Sequence, residues 1–172
     1  MDVIGLLRGQ LHGAHGVLEA TLGDITTEQA HRAPGGHTAS IAANYVHAVI
    51  GEDFLSSLID GSQPLITGAW GPRAGISEPA PAGGSWEEWG QRVQVSLPQA
   101  RAYAQAVDDK TDGIIGSLAP ADLDRPLDLS RLQFGMQTVG FLLSAILSTH
   151  PDMHAGEISA IKGIQGLKGY PF

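Results

Sequence analysis

The chain has 172 residues, 42% of them hydrophobic and 16% charged, a composition that can bury a core rather than stay disordered. Its formal net charge is −8 and its ten Lys and Arg are scattered, which excludes the clustered cations of a nucleic-acid surface. There is no Cys, so disulfides and a protein thiolate are excluded as well.

Near the N-terminus, Ile4, Leu7, Leu11, Ala14 and Leu18 recur at steps of three and four. This spacing predicts a first helix, capped by Asp2 and ended by Gly23 and Asp24. Thr26-Thr27-Glu28-Gln29 reads as a short helical turn with its own capping box, and Pro34-Gly35-Gly36 as a loop. A second helix is predicted from about Thr38 to Ile59. Ala43, His47, Ile50, Phe54 and Leu58 share one of its faces, so His47 should point where the core residues point.

Gly61 to Gly84 is a long Gly/Pro-rich connection that carries Trp70. Connections of this length in compact domains are commonly functional. A third helix opens at Ser85, where Glu88 completes a capping box. Trp86, Trp89, Val93, Ser96, Ala100, Tyr103, Val107 and Ile114 keep heptad-like spacing, and Pro98 should bend or split the pattern. After a further connection, Pro120 to Gly135, a fourth helix runs from near Thr138 to about Gly163. Val139, Leu143, Ile146, His150, His154, Glu157 and Ile161 share its inner face, and Pro151 predicts a kink between the two histidines. The expected fold is therefore all-α, an up-and-down four-helix bundle forming one domain over residues 1–172. The most apolar run, Val139 to Leu147, is about half the length that spans a bilayer. No signal-peptide pattern opens the chain. A soluble, cytoplasmic protein without a membrane partner is expected.

The chemistry concentrates in three histidines. His150 and His154 are four residues apart, so both rings project from one face of a helix. His47 lies inside an apolar stripe. A ring buried without a partner is costly, and three meeting rings are most simply satisfied by one divalent metal ion. Imidazole accepts zinc, nickel, iron or manganese without choosing sharply among them. Three such ligands leave coordination positions open for a substrate. Glu157, three residues past His154, is placed either to orient a ligand ring or to serve as a base.

The other histidines carry milder expectations. His12 and His15 flank the first apolar stripe and read as surface or boundary residues. His31 and His37 bracket the glycine loop, with His37 near a pocket mouth or capping the loop. Glu52 and Asp53 do not share the face of His47 and are not expected as ligands. Trp86 and Trp89 read as core. His-Glu-x-x-His, Gly-x-Ser-x-Gly and phosphate-loop signatures are absent from the sequence.

The segment His150-Pro-Asp-Met-His154-Ala-Gly-Glu157-Ile, followed by Lys162-Gly-Ile-Gln-Gly-Leu-Lys-Gly-Tyr-Pro-Phe172, resembles the C-terminal end of DinB/YfiT-like proteins. So does Gly36-His37-Thr38-Ala39-Ser40-Ile41, leading through His47 to Glu52-Asp53-Phe54-Leu55. The resemblance implies a four-helix bundle whose three histidines bind a divalent metal, in many relatives as a homodimer. It further implies a small-molecule substrate, and a thiol-dependent S-transferase or isomerase using a low-molecular-weight thiol such as mycothiol or bacillithiol. A metal-dependent hydrolase and a non-catalytic, stress-associated metal-binding module are the alternatives. Pro151, directly after the first histidine of the pair, departs from the family pattern.

Overall fold

The computed structural model describes residues 2–23, 25–81 and 85–172, so Asp24 and the last three residues of the Gly61–Gly84 connection lie outside the described residues. Helix α1 spans Val3–Leu22, and the Asp2 side chain accepts from the Gly5 amide at its start. Its predicted stripe, Ile4 through Leu18, is buried throughout. Helix α2 (Thr27–His31) carries the predicted capping box between Thr26 and Gln29. Helix α3 (Ile41–Asp60) is capped by Ser40 and closed by Gly61 in the left-handed conformation.

The predicted third helix is split. Helix α4 covers Trp86–Arg92 and α5 covers Leu97–Gly116, with Pro98 in the first turn of α5. There the missing amide costs no helical hydrogen bond. A two-stranded antiparallel hairpin follows, β1 (Pro126–Leu129) with β2 (Gly135–Thr138), where a loop was expected.

The last helical region is interrupted more deeply than a kink. Thr138 caps the short α6 (Val139–Phe141), the backbone then widens into a π-helix over Leu142–Leu147, and α7 (His150–Ile164) begins anew. The Ser148 amide reaches back five residues to the Leu143 carbonyl, and the Ser148 and Thr149 hydroxyls bond to Leu143 and Ala145. Pro151 thus falls in the first turn of a fresh helix rather than in the middle of an old one.

The four long segments pack side by side: α1 beside α5 and α7, and α3 beside the same two. Arg8, His15 and Glu19 of α1 meet Asp112, Asp108 and Arg101 of α5, so these helices run antiparallel. Tyr103 and Lys110 of α5 meet Asp53 and Ser57 of α3, a parallel pair. His47 and Gly51 of α3 lie against His154 and His150 of α7, an antiparallel pair.

The order is therefore up, down, down, up, and the simple up-and-down alternation expected from the sequence does not hold. The reason is connection length. A helix of about 20 residues is about 30 Å long, which an extended chain covers in about nine residues. Residues 61–96 can therefore return the chain to the end where α3 began.

The interior divides into two apolar clusters. One gathers Leu22, Ile41, Tyr45, Ile50, Trp89 and Tyr103; the other gathers Leu7, Leu11, Ile59, Ile115, Leu142 and Leu143 around the hairpin end. Each fully buried side chain of this size contributes roughly 1.5–3 kcal/mol. The predicted stripe on α3 is only half correct. Ala43 and Ile50 are buried, whereas Phe54 and Leu58 are exposed. Helix α3 is covered on most other sides instead, including by the long connection. The buried Asp53 carboxylate accepts from the Leu65 and Ile66 amides and from Tyr103 and Lys110.

Candidate metal centre

Antiparallel packing of α3 on α7 brings His47 opposite the His150–His154 pair. One ligand nitrogen from each of the three rings can be chosen so that all lie within 4.8 Å of one another. The ring centroids of His150 and His154 are 4.5 Å apart, and those of His47 and His154 are 4.8 Å apart. The Nε2 atoms of His150 and His154 face each other at 3.1 Å. Glu157 Oε2 lies 2.9 Å from His154 Nδ1. With the Nδ1–H donated to that carboxylate, His154 turns a lone pair at Nε2 toward the cluster.

Burial sets the protonation state. Desolvation, and secondly the His154 ring, depress the His47 imidazole to about 4. Desolvation, then His154 and His47, depress His150 to about 3. Its Nδ1 is buried without a well-formed hydrogen bond, and only a weak backbone influence from Ala48 opposes the loss of basicity. Neutral imidazoles with converging lone pairs are the donor set that a first-row divalent ion takes, and the arrangement fits one.

Gly51 makes this packing possible. A Cβ there would stand 2.5 Å from His150 Cε1. Only a residue without a side chain lets the ring lie against the α3 backbone. Gly90 acts similarly for α4, where a Cβ would come 2.8 Å from the Cβ of Ala39. That close approach seats the short helix over the start of α3. Trp86 then stands edge-on to His47, with ring centroids 4.3 Å apart at 89°.

A cavity of about 500 Å³ opens beside the cluster, lined among others by His47, His154, Glu157, Trp86, Asn44 and His37. This is within the usual size range of small-molecule sites. His150 stands behind, against Gly51. His37 pairs with Glu87 at the rim, the pocket-mouth position rather than a loop cap.

Several expectations are corrected. The long connection, expected to be functional, does not bring its Trp70 to this cavity; Trp70 packs on Tyr103 at 6.0 Å and beneath the Arg73 guanidinium. Trp89 is core as expected, but Trp86 is half-exposed and forms a wall of the site. His15 lies at the boundary of the core, one of the two expected positions, rather than on the open surface. It bridges Asp108 of α5 at 2.7 Å and Glu52 of α3 at 2.5 Å. Its position at the edge of the α1 stripe faces the seam between these two helices, which spacing along one helix cannot reveal. His31 bonds to the Thr27 carbonyl and accepts from the Val95 amide, tying α2 to the chain before α5. Among the described residues, the three-histidine group is the one cluster of this kind.

A family model described as the DinB superfamily matches residues 10–158. The chain belongs to the DinB superfamily. The match runs from α1 into α7 and takes in all three histidines and Glu157. A crystal structure described as that of a conserved protein of a locus from Enterococcus faecalis superposes with a TM-score of 0.81. It shares 20% identity, over 95% of this chain and 97% of that one, a likeness of fold. No curated protein matches the chain.

Proposed function

We propose that His47, His150 and His154 hold one divalent ion, and that this DinB-like protein is a metal-dependent transferase or isomerase for a low-molecular-weight thiol. The observation that carries the reading is the convergence of three imidazole nitrogens within 4.8 Å at the wall of an open cavity. A saturated structural site would be closed instead. When bound, the ion supplies Lewis acidity that favours thiolate over thiol at neutral pH.

The chain's own residues do the rest. His47 and His154 present their rings to the cavity, and Gly51 fixes the depth of His150. Glu157 holds the His154 tautomer, a positioning role, and its half-exposed carboxylate also faces the cavity. Trp86 restricts His47 from one side and offers an apolar wall to a second substrate. With no Cys in the sequence, the thiol must come from a cosubstrate.

The test is the spectrum of cobalt-loaded protein on addition of low-molecular-weight thiols. A sulfur-to-cobalt charge-transfer band, lost in His47→Ala, is expected. A spectrum unmoved by every thiol, with normal water exchange at the ion, overturns the transferase reading in favour of a hydrolase. An ion that neither thiol nor water reaches marks a structural module.

A further inference from the structure

The cavity beside the histidine cluster holds one polar atom that the chain leaves unused. Asn44 lines that cavity, three residues before His47 on α3, and is only 9% exposed. Its amide can point one way only. Nδ2 donates to the Ser40 carbonyl at 3.2 Å and lies 3.5 Å from the Ala39 carbonyl. Turned round, the amide would set its own oxygen against two groups that only accept. Oδ1 therefore keeps the other branch, where it takes no donor from the described residues. Unlike the indole nitrogen of Trp89 in the same wall, which is sealed from solvent, Oδ1 opens on the cavity.

The helix register gives this acceptor a place relative to the cluster. Antiparallel packing sets Gly51 against His150 and His47 against His154. The same register carries Asn44 to the level of Glu157, whose carboxylate also lines the cavity. Two acceptors thus stand about one helical turn, roughly 5 Å along the axis, from the ligand rings. No Lys or Arg is among the described residues of the lining, and Trp86, Ile161 and Ile164 supply apolar surface. This part of the cavity is built to receive hydrogen bonds, not to give them.

We infer that Asn44 is a specificity-determining residue. Its Oδ1 accepts from a hydroxyl or amide N–H that the thiol carries a few bonds from its sulfur. The inference rests on the reading of the histidine cluster as a thiol-binding metal centre, and it narrows the cosubstrate to donor-bearing thiols. A thiol with only hydrocarbon at that position strips water from Oδ1 and replaces it with nothing, which is costly for an enclosed acceptor.

The test is spectral titration of the cobalt-loaded full chain with 2-mercaptoethanol and 1-propanethiol, which match in length and differ in the terminal hydroxyl. Asn44→Leu, close in size and without an acceptor, should weaken 2-mercaptoethanol relative to 1-propanethiol by about 5-fold or more, the worth of one such hydrogen bond. Each thiol is compared with itself in the two proteins, so differences in thiol acidity cancel. Asn44→Ala adds no apolar bulk and keeps a good helix former, so it should shift the ratio the same way, and it serves if the leucine variant fails to fold. Charge-transfer bands from both thiols, with a ratio that the substitutions leave unchanged, overturn the inference while the thiol reading stands. A parent spectrum moved by neither thiol overturns both.

Discussion

The imidazole of His150 occupies the space that a side chain at Gly51 would need, with His150 Cε1 2.5 Å from the position of a Cβ. Gly51 sits four residues after His47, in the interior of α3. Two opposing effects meet there. Alanine favours a helix interior over glycine by roughly 0.5–1 kcal/mol. A methyl group at 2.5 Å forces the His150 ring away from the backbone. Gly51→Ala should therefore leave helix content unchanged while lowering metal affinity by roughly 10-fold or more, since displacing a ligand disturbs the site as removal of its supporting partners does. Calorimetric titration with zinc measures this. Parent-like affinity would remove Gly51 from the site.

Glu157 is the partner of His154 Nδ1 at 2.9 Å. Glu157→Gln keeps the size and removes the charge, so the preferred tautomer is held less firmly. Metal affinity is expected to fall by about 10–100-fold, the range for such supporting carboxylates. Glu87→Gln at the cavity rim serves as the control and should leave affinity unchanged. Equal affinities for all three proteins would show that Glu157 is only a surface carboxylate.

Much of this was legible in the sequence. The α1 stripe, the caps at Asp2, Thr26 and Ser85, and the pairing of His150 with His154 all follow from spacing along one element. The direction of α5 was not legible, because it depends on where the long connection ends. Gly51 was missed although a glycine inside an apolar helix, four residues past a histidine, was the available signal. The His15 bridge was invisible because its partners lie 37 and 93 residues away, and only the packing of three helices joins them.

That bridge sets a pH dependence. His15 is raised from an ordinary 6.5 to about 10 in the folded chain. A raised histidine stabilises the fold fully below the unfolded value and loses that contribution as pH rises through the folded one. Stability from this group should thus decline between pH 6.5 and about 10. His15→Gln is destabilised at pH 7 by a few kcal/mol, or roughly 5–10 °C in Tm. The gap to the parent should close as pH approaches 10. Thermal melts of both proteins from pH 6 to 10 measure it. A gap that stays constant across the series would contradict the bridged imidazolium.

Chelation should separate folding from metal binding. Two apolar clusters built on four long helices supply a core that a zinc finger lacks. An ion that binds only the folded state raises Tm by mass action. A chelator should therefore lower the midpoint while a cooperative, helical protein persists at room temperature. Loss of helical circular dichroism on chelation would mean that the ion, not the apolar core, holds the bundle together.

The central claim is that three histidines from two helices form one metal site. It is tested most directly by elemental analysis of protein purified without a metal-affinity tag and reconstituted with zinc, manganese, iron or nickel. The parent and His12→Ala should each retain about one ion per chain, because His12 lies on α1 beside Asp108 and Asp112, away from the cluster. His150→Ala should retain none after desalting. Full occupancy in His150→Ala, or a parent protein that holds none of these metals, would contradict the account.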